Sequence, residues 1–277
     1  GAEIATPNLD QLASTGVKMT SFYASPFCSP TRAMLMSGSD NHLVGFGDMA
    51  ELITDEQRGK PGYEGYLNDR VVPMAQVLKD AGYRTAMAGK WHLHNNQDVK
   101  PTDRGFDEFY GMLGGYNSCW DEHPHYTRWP LSRKPRDYTS AKDGKPGSFY
   151  ATDAFGDYAL DFIAESRAAQ QPFFLYLAFN APHFPLHAHE SDIMKYEALY
   201  FAKGWDVIRQ ERLIRQKELG LIPQNLPLPP RSVVPAKSHA KPSPFAGKDN
   251  PAWDSLPENR RRDLARRMAV FCCGRKS

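Results

Sequence analysis

Apolar residues recur along this chain with two different spacings, and the alternation between them outlines its elements. The clearest helical spacing lies in residues 149–170, where Phe155, Tyr158, Ala159, Phe162 and Ile163 share one face and Thr152 or Asp153 is the expected cap. Pro172 ends that helix, and residues 173–179 follow as an unbroken apolar run, the pattern of a parallel strand buried on both faces. Upstream, residues 71–80 predict a short helix with Met74, Val77 and Leu78 inward and Gly82 as its stop, and residues 83–88 then predict a short strand. Helix followed by strand, twice over, gives an α/β fold: a mostly parallel sheet flanked by helices on both faces.

The flanks add further elements. Thr6 and Pro7 open a helix that Gly16 closes, with Leu9, Leu12 and Ala13 as a packing face. Residues 17–23 alternate apolar and polar as a strand would, and residues 30–36 read as a helix ending at Gly38, so Cys28 falls at a strand-to-helix turn. Residues 101–111 read as a structural turn whose aromatics pack the sheet edge. Charge patterning predicts an exposed helix over residues 204–220, and residues 255–270 form a basic amphipathic helix with Leu264, Met268 and Val270 inward. Residues 271–277 break that pattern. Residues 39–65, 114–147 and 221–251 are irregular; the middle one is expected to wall a substrate pocket, and the last is a Pro-rich connection.

Composition narrows the classes. A chain of 277 residues with 41% hydrophobic and 24% charged residues has the make-up of a globular protein with a sizeable core. A net charge of +2 gives no reason to expect nucleic acid or an anionic membrane as partner. No apolar run approaches the roughly 20 residues of a spanning helix. The cysteines at positions 28, 119, 272 and 273 lack metal-site spacing, and the vicinal pair suits no disulfide framework.

Candidate chemistry gathers where predicted strands end, which in open parallel sheets is where ligands bind. Lys90 and His92 follow the first such strand, two apart and so on one side of an extended backbone; His183 follows the second. Cys28-Ser29-Pro30-Thr31-Arg32 puts a cysteine at a helix N-terminus beside an arginine, where negative charge is best tolerated. A buried packing cysteine is the bland reading. A cysteine-phosphatase loop is a poor fit, because it needs a longer spacing between Cys and Arg. His123 and His125 are weak metal-ligand candidates, and His187 and His189 read as loop residues.

The segment Cys28-Ser29-Pro30-Thr31-Arg32 fits at every position the Cys-x-Pro-Ser/Thr-Arg signature of sulfatases, in which the cysteine is oxidised to formylglycine. Thr6-Pro7-Asn8-Leu9-Asp10-Gln11-Leu12-Ala13 resembles the family's TPNLDxLAxxG helix. Gly89-Lys90-Trp91-His92-Leu93 resembles GKWHLG, departing where His94 replaces Gly; residues 104–111 resemble RGFDxFYG, and residues 181–186 resemble APHxPL. These matches run in order over nearly the whole chain, so the chain resembles a bacterial-type arylsulfatase of the alkaline-phosphatase-like superfamily.

The resemblance implies hydrolysis of a small-molecule or carbohydrate sulfate ester by the hydrate of the residue-28 aldehyde, after a maturation enzyme has converted Cys28. It implies that Arg32 holds the hydrate, that Lys90 binds hydrate and a sulfate oxygen, and that His92 deprotonates the second hydroxyl. His183 would bind sulfate and protonate the leaving oxygen. It also implies Ca²⁺, with formylglycine 28 among its ligands. Against the family pattern, residues 1–277 are expected to form a single catalytic domain lacking the first strand and a C-terminal portion. The acidic metal ligands would then be missing, calcium binding weak and activity low. A phosphomonoester or phosphonate hydrolase, or a non-catalytic product, are the alternatives.

Overall fold

The computed structural model describes residues 3–94, 99–121, 126–133, 136, 138, 149–233 and 247–273. The chain divides into two compact units, one of residues 23–185 and one of residues 1–22 with 186–277. His123 and His125 lie outside the described residues.

Residues 23–185 hold the sheet. Its strands are β1 (Arg84–Lys90), β2 (Glu108–Met112), β3 (Thr127–Trp129) and β4 (Phe173–Ala178), in the order β3-β2-β1-β4. β1 runs parallel to both β2 and β4, and β3 is antiparallel to β2. The expected mostly parallel sheet is therefore present, with one antiparallel strand.

Alternation along β1 sends side chains to two separate cores, as the two-residue repeat of a strand requires. Ala86 and Ala88 pack with Tyr110, Phe155, Tyr158 and Phe162 under α4 (Ala151–Ala168). Met87 faces the other way, into a core with Ala33 and Met36 of α2 (Cys28–Ser37) and Ala75 of α3 (Met74–Asp80). Helices thus cover both faces. The aromatic stripe read from residues 149–170 is core, although Tyr150 rather than Thr152 or Asp153 stands at the cap position.

Several local expectations are corrected. Residues 17–23 are not a strand and are exposed throughout, because alternation without a hydrogen-bonding neighbour does not make a sheet. β4 is not buried on both faces: among the described strands it is an edge, with Phe173 42% and Leu177 38% exposed. In α3 the buried residue is Ala75, while Met74 and Val77 are exposed. The stretch read as a turn at residues 101–111 contains β2, an interior strand whose five residues are all buried.

The second unit contains α1 (Pro7–Thr15), α5 (Glu190–Glu218) and α6 (Glu258–Cys273). α1 has the predicted limits, but Leu9 and Leu12 are 63% and 67% exposed rather than packed. α5 begins well before residue 204 and kinks at Gly204, where φ is +61° and a Cβ would come within 2.1 Å of the Trp253 ring. α6 keeps Leu264, Met268 and Val270 against the core as expected. It also continues through Cys272 and Cys273, which are buried helical residues where the sequence pattern had looked broken. No helix is long and apolar enough among the described residues to cross a membrane.

Candidate active site

Four of the five predicted site residues are in contact at one rim, and the fifth, His183, stands beyond the end of β4 at that rim. β1 ends at Lys90, which is 2% exposed, and its parallel neighbours fix where that end lies. His92 follows with φ +53°, an uncommon conformation for a residue with a side chain. The backbone there is not extended as predicted. Hydrogen bonds from Trp91 N–H to the Met112 carbonyl and from His92 N–H to the Leu113 carbonyl, each 2.9 Å, hold this bend against the end of β2. The imidazole then reaches Cys28, with Nδ1 3.1 Å from Sγ.

Cys28 is the first residue of α2, after Phe27 in extended conformation, and Gly38 closes the helix in the left-handed region. Thr31 secures the turn by donating its hydroxyl to the Ser25 carbonyl at 2.9 Å. Burial disfavours the thiolate, but the His92 hydrogen bond and the Lys90 and His92 charges outweigh it, bringing the thiol from about 9.0 down to about 6. The Lys90 pKa is lowered too, here against the charged form: burial lowers it and the nearby Arg32 charge lowers it further, against the attraction of Cys28.

Arg32 spends its described hydrogen bonds on the Lys90 carbonyl, at 2.5 Å, and the Tyr176 hydroxyl, at 3.2 Å. It ties α2 to the ends of β1 and β4, and its charge is felt in the pocket. His183 sits beyond the same end of β4, exposed to solvent, with Nδ1 donating to the Phe184 carbonyl at 2.7 Å. Its ring stacks on Tyr116 at 5.6 Å. The neighbouring Gly115 borders the other histidine, since a Cβ there would lie 2.8 Å from His92 Cε1. Residues 115–116 therefore line both histidines, which gives part of the 114–147 loop the walling position expected of it.

Sequence reasoning missed Glu51, Met49, Tyr116 and Tyr176. Glu51 Oε1 lies 2.9 Å from His92 Nε2, and Met49 Sδ lies 3.5 Å from Cys28 Sγ. Both come from residues 39–65, where no periodicity or motif marks them. Tyr176 had a usable signal: a hydroxyl inside an apolar strand needs a partner.

The rim thus combines an anion-stabilised residue 28 with a lysine, an arginine and two histidines at the carboxyl end of a parallel sheet. A sulfatase family model matches residues 1–213. The chain belongs to the sulfatase family. An uncharacterized sulfatase of Schizosaccharomyces pombe is 40% identical over 98% of this chain, and the arylsulfatase of Klebsiella aerogenes is 37% identical over 83% of it. Each of these alignments covers 48% of the relative, so the chain spans about half the length of the curated relatives it matches. Among solved structures, Ps i-CgsB in complex with k-i-k-neocarrahexaose is similar with TM-score 0.52 and 30% identity, covering 69% of this chain and 43% of that one. The yidJ protein of Bacteroides fragilis matches all of this chain and 53% of its own at TM-score 0.56 and 21% identity, a likeness of fold alone. Membership of the sulfatase family implies a formylglycine residue and a metal ion.

Proposed function

We propose that this chain carries the nucleophile side of a sulfuric ester hydrolase of arylsulfatase type, acting through formylglycine made from Cys28. The observation that carries the reading is the convergence of Lys90 and His92 on residue 28 at the rim where β1 ends. A cationic, largely buried setting suits a transferring sulfuryl group, because charge on its oxygens is stabilised best by fixed cations in low dielectric.

In this reading Lys90 holds the hydrate and one sulfate oxygen as a point charge, and Arg32 fixes the position of Lys90 while adding positive potential. His92 takes the proton of the hydrate hydroxyl that does not attack, and His183, on the same rim, supplies a proton to the leaving oxygen. Sulfate esters of carbohydrates are the proposed substrate class. Support comes from relatives named N-acetylgalactosamine-6-sulfatase, such as the dog protein at 34% identity, and from the carbohydrate complex of Ps i-CgsB. A formylglycine-generating enzyme is the proposed maturation partner. Residues 1–277 are proposed to belong to one catalytic domain, since the family match at 1–213 runs through both compact units.

Calcium is the metal proposed by family resemblance; it would supply a Lewis acid beside formylglycine 28. Among the described residues no three His, Cys, Asp or Glu side chains are grouped to hold a metal ion. A hard cation takes about six to eight oxygens, so these residues do not fit the ion by themselves.

The decisive experiment is co-expression with a formylglycine-generating enzyme, followed by mass spectrometry of the peptide containing Cys28 and by turnover of 4-nitrophenyl sulfate and 4-nitrophenyl phosphate. An aldehyde at position 28, with sulfate turnover that exceeds phosphate turnover and disappears in Cys28→Ala, is the expected result. Unconverted cysteine, or preference for the phosphate ester, overturns the proposal.

A further inference from the structure

Glu51 belongs to none of the family-like motifs, yet it completes a hydrogen-bonded line that runs from residue 28 through His92. It sits in the short 3-10 turn Ala50–Leu52, next to Met49, whose sulfur touches Cys28. Its carboxylate is favoured: burial opposes the charge, but the His92 hydrogen bond and the His92 and Lys90 charges prevail. A carboxylate only accepts hydrogen bonds. The ring proton shared with Glu51 Oε1 therefore belongs to His92 Nε2, and Nδ1 is the nitrogen turned toward residue 28. The ring has little freedom to turn over, being buried and hemmed in by Gly115.

We propose that Glu51 is the positioning residue of His92, holding the proton on Nε2 so that Nδ1 is the atom that takes a proton from residue 28. This rests on the formylglycine reading above. After the ester alcohol has left, the free hydroxyl of residue 28 gives its proton to Nδ1. The O–H bond breaks and an N–H bond forms; the oxygen's electron pair makes the aldehyde C=O, and the C–O bond to sulfate breaks with its electrons leaving on sulfate. Glu51 gains no proton and touches no reacting atom. An oriented histidine of this kind depends on its partner for the correct tautomer.

The position is well suited to test, because the Glu51 side chain is 59% exposed and borders an open cavity of about 620 Å³. Substitution there empties no core. In the full chain, proton NMR of the His92 ring should show a downfield, slowly exchanging Nε2–H that Glu51→Ala abolishes and Glu51→Gln retains, since an amide oxygen also accepts. In the aldehyde-bearing enzyme, Glu51→Ala should lower kcat for 4-nitrophenyl sulfate by about 10- to 100-fold, the usual cost of losing an orienting partner. KM should change less than about twofold, as expected for an interaction that does not bind substrate, and Glu51→Gln should recover most of kcat. Persistence of the Nε2–H signal in Glu51→Ala overturns the proposal, as does an unchanged kcat in that variant. If co-expression with the formylglycine-generating enzyme leaves no aldehyde at residue 28, the formylglycine reading fails, and the ring-proton signal alone still decides whether Glu51 positions His92.

Discussion

At the scale of single residues, the site is a contest between burial and charge. Lys90 is buried as lysines seldom are, and burial lowers its pKa in spite of the attraction of Cys28. Residue 28 gains from the same arrangement: with the cysteine unmodified, its thiol is brought down to about 6. A lowered thiol pKa means the reactive thiolate appears as pH rises through the folded value. Alkylation of Cys28 by iodoacetamide should therefore climb through about pH 6 and level off above it. Lys90→Met should move that midpoint upward, because a cation that favours the thiolate is gone while burial remains. A wild-type midpoint near the ordinary value of 9.0 would contradict this electrostatic account. The residues outside the motifs, Glu51 and Met49, act at this scale too, and they were illegible in sequence because a contact between distant side chains has no period.

At the scale of elements, what matters is how the end of β1 is fixed. Asp107, just before β2, accepts hydrogen bonds on Oδ2 from the Thr85 backbone N–H at 3.0 Å and from the Thr85 hydroxyl at 3.1 Å. It also pairs with Lys79 at 2.8 Å. These contacts pin the start of β1 to β2, and the parallel register carries the alignment to Lys90 opposite Met112. Burial works against the Asp107 charge, but the Lys79 and Thr85 contacts outweigh it and lower its pKa. For a carboxyl depressed on folding, the stabilisation is present above its unfolded pKa and is lost as pH falls through the folded one. Asp107→Asn should accordingly cost about 1 kcal/mol near neutrality, read from urea denaturation, with the difference from wild type fading below about pH 4. A difference that grows on acidification would reverse the assigned sign. The RGFD stretch looked like a turn because Gly105 punctuates it, whereas the strand that follows is defined by its partners on either side.

At the scale of the molecule, residues 23–185 divide labour between the two rims of the sheet. The carboxyl ends of β1 and β4 carry the candidate chemistry. The opposite rim carries a buried ion network in which Glu108 pairs with Arg84, with Arg128 at 2.7 Å and with Arg133 at 2.6 Å. Arg128 also lies over the Tyr158 and Phe162 rings, 5.0 Å and 5.2 Å from their centroids. Removing one member of such a network leaves buried charge uncompensated. Glu108→Ala should cost about 3–5 kcal/mol of stability by chemical denaturation while leaving the pH midpoint of Cys28 alkylation in the folded protein unchanged. A shifted midpoint would mean that the two rims are coupled.

Period and punctuation alone located the helices found at residues 7–15 and 151–168, the last helix as far as residue 270, the strands found at residues 84–90 and 173–178, and the parallel α/β class, because apolar spacing and turn residues are local signals. The motifs also named Cys28, Lys90 and His92, which the fold brings together. Only the tertiary structure decided that residues 17–23 form no strand, that β4 is a half-exposed edge of the described sheet, and that His92 turns back with a positive φ to meet Cys28 on one side and Glu51 on the other. The reason is physical: a strand requires a partner and an orienting hydrogen bond requires a second side chain, and both are supplied by segments far away along the chain.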